Sequence, residues 1–564
     1  MDKKARALEI AGVVCAAAIP VAACAGGDGI DAACDESVIR VVGRGYTGAL
    51  HGLDALLGAP LGARAHFASV ACAAVAAVVV YRLARRLSRA TAQGAFGVAL
   101  AIVAAALATL TFPAQREAAL VGGATLGALL VLAPVLLASE GARGELVAAA
   151  LGLAATYDAP TGATAAIACG ALALASGEKV RWRAAPAALV GLVPVAWMLV
   201  RRDAAPDASL DARFFAGWLG EGARSAPRAI AWSIARAELG VVALGAAGLG
   251  LAVALRSRVT RPLGVALACV VAMGAAAAAI GAPAGPVRFG AALLAALAAT
   301  AVLAALGMGA IVIAVARARV PLARASAAML VVLELAIPAR VADDAALATS
   351  KLAHGTHAWN ARVFGDLPRG AVLLVTNERT LVRARAAAAA GELRPDVLVL
   401  PMTGATARAT SRLIAREPLV APIVRDLALY GAPEEFSLSE LAAARPLLVA
   451  FDPRWDRRFA RHLVPQGAFD RYFVEPRGAS ERIKALAAFV LRDDDARAVA
   501  SDPPLRDATR DLLAARARAA AATGEREYVE ATTAELARIA PADPLLREIS
   551  RPADAGALAA RSRF

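Results

Sequence analysis

Residues 289–319, FGAALLAALAATAVLAALGMGAIVIAVARAR, run from Phe289 to Val315 without one charged side chain and then meet Arg317 and Arg319. About 20 apolar residues cross the hydrocarbon core of a bilayer as a helix, and lysine or arginine at the end of such a run marks the cytoplasmic side. The same pattern recurs through the first 340 residues. Hydropathy predicts spans near 8–24, 66–81, 94–112, 117–138, 145–158, 160–176, 185–200, 238–255, 263–282, 289–315 and 322–340, about eleven helices. Lys3, Lys4 and Arg6 set the amino terminus inside; Arg82, Arg85, Arg86, Arg89, Arg143, Lys179, Arg181, Arg183, Arg256, Arg258 and Arg261 mark later inner turns. An odd number of crossings places residues 25–65, and everything after residue 341, outside the membrane. Arg201 and Arg202, on the predicted outer loop 201–237, break the rule.

Composition agrees. Of 564 residues, 59% are hydrophobic and only 19% charged, and the mean hydropathy is +0.58. These values exclude a disordered, collagen-like or disulfide-scaffold chain and point to a protein that passes the bilayer many times. The net charge of +14 follows from topology, because the basic residues gather at span ends; no nucleic-acid partner is expected. Six cysteines lie scattered without C-x-x-C spacing, so no zinc site is expected. Val21-Ala22-Ala23-Cys24 resembles a lipoprotein cleavage site, but the many later spans favour a retained first helix. His354 and His357 have the i, i+3 spacing of a shared metal site, yet no acid or cysteine accompanies them. There is no phosphate loop of the Walker type and no G-x-G-x-x-G after a strand. The expectation is therefore neither metal nor cofactor.

From residue 341 the chain becomes charged and mixed. Apolar runs shorten to strand length in AVLLV (371–375), DVLVL (396–400), LLVAF (447–451) and RYFV (471–474), separated by alanine-rich stretches. Alternating strand and helix predicts a small α/β domain over 341–479, and helical periodicity predicts trailing helices over 480–564. The fold class expected is an α-helical polytopic membrane domain, residues 1–340, followed by an extracytoplasmic α/β domain and a helical segment.

Several stretches resemble bacterial GT-C membrane proteins of the protein O-mannosyltransferase-like kind. They are TGALHGLDALLGAPLGARAHFASVACAAVAAVVVYRLARR (47–86), LPRGAVLLVTNE (367–378), ELRPDVLVLP (392–401), ARPLLVAFDPRW (444–455) and LVPQGAFDRYFVEP (463–476). The likeness rests on their order and spacing and covers most of the chain up to about residue 476. It implies a GT-C-like fold and a metal-independent enzyme that moves a sugar from a polyprenyl-phosphate donor to a hydroxyl of an acceptor protein or glycan outside the membrane. Membrane lipid surrounds the reaction.

A lipid-borne donor keeps its phosphosugar at the outer interface, so the catalytic carboxylate belongs on an outer loop beside a span. The first such loop, GGDGIDAACDES (26–37), supplies Asp28, Asp31, Asp35 and Glu36. The family carries an aspartate and a glutamate spaced D-x-x-E here, and Asp28 and Asp31 have the D-x-x-acid spacing. Asp31, then Asp28, is the preferred general base, drawing a proton from the acceptor hydroxyl as it attacks the sugar. The loop equally reads as a solvated acidic segment that stays out of the membrane. Arg116, Arg201, Arg202 and Arg288 are arginines with the fork geometry for the donor phosphate, and Glu117 matches a family acid at the head of the fourth span. Ordinary roles compete: helix capping for Arg116 and Glu117, snorkelling for the others. Two departures stand out. Gly45-Tyr46-Thr47-Gly48 replaces the family's His-Pro-Pro-Gly-like segment, and Tyr157 and Asp158 replace histidines at the fifth-span hairpin. Asn377 and Glu378, just after the first outer strand, stand where α/β folds place ligands, although a plain strand-ending turn explains them as well. Two rival readings remain: an inactive relative that binds envelope partners, and a transporter of lipid-linked substrates. Against the transporter, the spans hold few charges besides Glu334.

Overall fold

The computed structural model describes residues 3–24, 61–89, 94–119, 124–157, 159–177, 185–191, 193, 227–281 and 291–317. It also describes 355–549, except 376, 378–379, 382, 385–386, 389–390, 403–406, 453, 487–498 and 500–502. The chain divides into two compact units with the boundary between Lys351 and Leu352.

Alanine, leucine and valine in long tracts leave a backbone in lipid only one local way to satisfy its amides, and the first unit is accordingly helical. Its helices are α1 (Lys3–Cys24), α2 (Leu61–Ser88), α3 (Gly94–Thr109), α4 (Phe112–Ala119), α5 (Ala124–Ser139), α6 (Gly144–Tyr157), α7 (Ala159–Ser176), α8 (Ala185–Gly191), α9 (Pro227–Arg256), α10 (Arg261–Gly281) and α11 (Ala291–Arg317). Helices overlap the predicted spans from 8–24 to 289–315, that at 185–200 over Ala185–Gly191 only; residues 194–200 and 322–340 lie outside the described residues. Among the described residues, Lys4–Ala23, Phe67–Ser88, Glu238–Arg256 and Ala291–Arg317 are long and apolar enough to cross a membrane unaided. The protein is a helical membrane protein with a small sheet in its C-terminal region.

Helix α11 is the hub. It is buried without interruption from Ala291 to Met308, as a helix apolar on every side must be, and it packs against α2, α3, α5, α9 and α10. Small residues let the backbones approach. A Cβ on Gly307 would lie 1.9 Å from the Ala246 carbonyl oxygen, and one on Gly250 would lie 1.9 Å from that of Leu303. Lipid supplies no hydrophobic drive between helices, so this close packing does the work of association. Two span hydroxyls bond back to their own helix, Thr109 to the Ala105 carbonyl at 2.7 Å and Thr300 to that of Ala296 at 2.8 Å. Neither of these two leaves its polar hydrogen to the hydrocarbon.

Two departures from the predicted spans have local causes. The turn between the third and fourth spans is a separate helix: α3 stops at Thr109, and Pro113 sits in the first turn of α4, where its missing amide costs nothing. The Gln115 amide bonds the Thr111 carbonyl at 3.0 Å, and its side chain donates to the Leu110 carbonyl at 2.8 Å, tying the two helices at their junction. Glu117 thus lies inside α4; residues 120–123, between α4 and α5, lie outside the described residues. Helix α9 starts at Pro227, inside the predicted loop 201–237, and is broken at Gly240 (φ 77°), a conformation that favours glycine.

The second unit joins the predicted α/β segment to the trailing helices. Its strands are β1 (Val372–Val375), β2 (Leu398–Pro401), β3 (Leu447–Val449), β4 (Leu463–Gln466) and β5 (Phe469–Tyr472), in the order β2-β1-β3-β5-β4. β1 is parallel to β2 and β3, whereas β5 is antiparallel to both β3 and β4. Strand β4 was not expected from the sequence, because Pro465 interrupts it; as an edge strand, it tolerates the missing amide. Between β2 and β3 run α12 (Ala407–Arg416), α13 (Ala421–Tyr430) and α14 (Glu435–Ala444). After the sheet come α15 (Ala479–Leu486), α16 (Pro503–Thr523), α17 (Arg526–Ile539) and α18 (Pro544–Ile549). Helix α16 packs on β5, held by Arg516, which meets the buried Asp470 at 3.3 Å and donates to the carbonyls of Gly467 (2.7 Å) and Phe469 (3.0 Å).

Candidate functional site

The predicted base and most of its companions fall outside the described residues: Asp28, Asp31, Asp35, Glu36, Asp158, Arg201, Arg202 and Arg288, as does Glu378. Tyr157 is placed as the last residue of α6. Arg116 and Glu117 are placed on α4, which packs against α1, α2, α3 and α5. Below α4 a narrow apolar cavity of about 40 Å³ reaches from Pro20 of α1 and Ala118 of α4 to Leu294 of α11. Its α1 wall lies four residues from the end of that helix at Cys24, and Asp28 follows Cys24 by four residues in turn.

In the second unit the sheet builds a cleft. The chain leaves β1 toward β2 on one side and returns to β3 on the other, so the carboxyl ends of β1 and β3 diverge. This is the switch point at which open α/β sheets bind ligands. A cavity of about 170 Å³ opens there. Asn377 and Thr380 line it from beyond β1, Phe451 and Asp452 from beyond β3, and Asp511 and Arg518 from α16. Asp511 and Arg518 are seven residues apart, which puts them on one face of the helix.

Three features give the cleft its chemistry. The Asn377 amide donates to Asp511 Oδ2 at 2.7 Å, which fixes the direction of both planar groups. Asp452 accepts from the Arg454 backbone amide at 2.9 Å and from its guanidinium at 2.9 and 2.6 Å, and this pair holds Arg454 more firmly protonated than usual. Thr380 is fully buried, and its hydroxyl has no partner among the described residues. An unmet buried hydroxyl costs about 1–3 kcal/mol, so a ligand that answers it gains that amount. The set offers acceptors, donors and one exposed cation around an aromatic wall. It suits a neutral, hydroxyl-rich group of one ring's size, since pockets for larger ligands run to about 300–1,000 Å³.

Asn377 was legible from its place after a strand. Asp452, Asp511 and Arg518 were not, since no motif links segments so far apart; the one signal was the i, i+7 spacing of Asp511 and Arg518 in DLLAARAR, whose third charge, Arg516, turns to the sheet instead. His357, read as half of a metal spacing, has its ring Nδ1 against Glu392 Oε1, and Asn360 bonds the other oxygen at 2.5 Å.

Fold and cleft together define a helical membrane protein that carries a C-terminal α/β unit with a polar pocket at its switch point. No family model and no curated protein sequence matches the chain.

Proposed function

We propose that the protein is a GT-C-type glycosyltransferase of about eleven spans. It moves a sugar from a polyprenyl-phosphate donor to a hydroxyl of an acceptor protein or glycan on the outer side of the bacterial inner membrane. The observation that carries the reading is the switch-point cleft, whose oriented amide, carboxylates and unmet Thr380 hydroxyl are groups that bind sugar or hydroxyl-bearing acceptors. The ordered likeness of 47–86 and 367–476 to O-mannosyltransferase-like proteins supports it, as does the position of Arg116 and Glu117 on a short helix packed against α1, which leads into the acidic loop.

In this mechanism an acid of the first loop, Asp31 or Asp28, takes the acceptor's proton. The acceptor oxygen forms a bond to the sugar's anomeric carbon, and the carbon–oxygen bond to the polyprenyl phosphate breaks with its electron pair leaving on the phosphate. Attack opposite the leaving group inverts the anomeric centre. Arg116, with Arg201, Arg202 or Arg288, offsets the charge of the departing phosphate.

The test uses the full chain in lipid nanodiscs with a radiolabelled polyprenyl-phosphate mannose. Binding of the donor, and transfer that disappears in Asp28→Ala, Asp31→Ala or Asp35→Ala while insertion persists, is the expected result. If the donor does not bind, the glycosyltransferase reading fails; if all three variants transfer normally, the assigned base is wrong.

A further inference from the structure

The described part of the first unit contains a second and larger cavity, of about 370 Å³, between the amino-terminal half of α1 and the last turns of α2. Its position is set by two spans, since it lies where Lys4–Ala23 begins and Phe67–Ser88 ends. It is therefore at a membrane boundary, and by the lysine and arginine pattern that boundary is the cytoplasmic one.

The polar wall holds five arginines and two glutamates: Arg6, Arg82, Arg85, Arg86, Arg89, Glu9 and Glu140. The acids are already engaged. Arg85 clamps Glu9 with two guanidinium nitrogens, Tyr81 donates its hydroxyl to the same carboxylate at 3.0 Å, and Arg82 meets Glu140 at 2.9 Å. Arg6, Arg86 and Arg89 make no ion pair among the described residues, which leaves three positive charges facing one cavity. Arg85 is itself 8% exposed, and its Nη1 is buried with no acceptor among the described residues. A buried guanidinium N–H without a partner asks for an acceptor oxygen, and its neighbours ask for a negative charge.

The opposite wall is apolar. Ile10 and Val14 of α1 are 57% and 61% exposed and lie inside a membrane span, where acyl chains meet them. One cavity thus joins an anion-binding side at headgroup depth to an apolar flank along the bilayer. We propose that it binds the headgroup of an anionic phospholipid, with the phosphate among Arg85, Arg86 and Arg89 and the chains along Ile10 and Val14. A structural role for the Arg85–Glu9 clamp does not compete with this, because the clamp uses Nε and Nη2 and leaves Nη1 for the ligand. The inference is independent of sugar transfer.

The experiment is native mass spectrometry of the full chain, purified in detergent and titrated with phosphatidylglycerol or phosphatidylcholine. Wild-type protein retains phosphatidylglycerol selectively. Arg6→Gln/Arg86→Gln/Arg89→Gln, which spares the clamp, loses roughly fivefold in affinity per arginine, on the order of a hundredfold in all. Arg256→Gln/Arg258→Gln, on a different turn, leaves the tight site unchanged. Should the triple variant fail to elute as a single folded species, Arg86→Gln and Arg89→Gln alone each read roughly the fivefold step. Equal retention of the two lipids, or a triple variant that binds phosphatidylglycerol as wild type does, overturns the proposal. So does displacement of the lipid by millimolar inorganic phosphate, which would show that a free anion suffices.

Discussion

Removing the guanidinium that clamps α16 to the sheet tests the architecture of the C-terminal cleft most directly. Arg516 and Asp470 are each 2% exposed, and Arg516 also serves two backbone carbonyls at 2.7 and 3.0 Å. Arg516→Met preserves the side-chain volume but strands a buried carboxylate and two acceptors, a loss of about 3–5 kcal/mol. Asp470→Asn is milder: Arg516 keeps both carbonyls, and one charge-assisted bond is lost, about 1.5–3 kcal/mol. Acidity separates the two variants further. Burial pushes the Asp470 carboxyl up and Arg516 pulls it back, with the net effect upward. Without Arg516 the carboxyl rises further. An acid whose folded pKa lies above its unfolded value of about 3.9 loses stability as pH rises through the folded pKa, so the Arg516→Met deficit shrinks toward pH 4. Hydrogen exchange of the β4–β5 hairpin, read by mass spectrometry on the full chain and corrected for intrinsic rates, measures this locally. A loss of about 3 kcal/mol speeds exchange on the order of a hundredfold. Exchange within about fivefold of wild type, or a deficit that does not change with pH, would refute the assignment of Arg516 as the clamp.

Other consequences follow from the same geometry. Thr380→Val removes the unmet hydroxyl, so the free protein gains about 1–3 kcal/mol while binding of a mannoside acceptor weakens; a gain in thermal stability without loss of binding would remove Thr380 from the cleft's chemistry. Gly307→Val places a side chain where the Ala246 carbonyl already lies 1.9 Å from an ideal Cβ, forcing α9 and α11 apart. Loss of about 1–3 kcal/mol or more, seen as a lower midpoint in detergent unfolding, is expected, and a wild-type midpoint would contradict the close packing. Asp543 caps α18, accepting from the Leu545 amide at 2.9 Å and from Arg510. Burial raises its carboxyl, but those bonds more than offset it, and the net shift is downward. Its stabilising contribution is therefore present above the unfolded value of about 3.9 and lost as pH falls through the folded one; Asp543→Asn should flatten that acid limb in a pH titration of exchange at 544–549.

Much of the helical unit was legible because lipid imposes a one-dimensional rule: an apolar run of sufficient length must be a helix, wherever its neighbours lie. The run from Phe289 to Val315 announces α11 without help from any other segment. The third-to-fourth turn was misjudged for a related reason. Hydropathy averages over a window, whereas the separate helix α4 is decided by Pro113 and by the hydrogen bonds of Gln115. In the second unit, strands AVLLV and LLVAF declared themselves as short apolar runs between charged and alanine-rich stretches, but Pro465 hid β4.

The site divides along the same line. Sequence alone settled that this is a helical membrane protein with a mixed C-terminal region, since hydropathy and residue periodicity are properties of contiguous chain. It also marked Asn377 by its place at a strand end. Only the tertiary structure brought Asn377, Asp452 and Asp511 around one cleft, and Arg6 and Arg85 around another. Those groups are separated by up to 134 positions in the chain, and their meeting depends on strand order and helix packing, which no local pattern encodes.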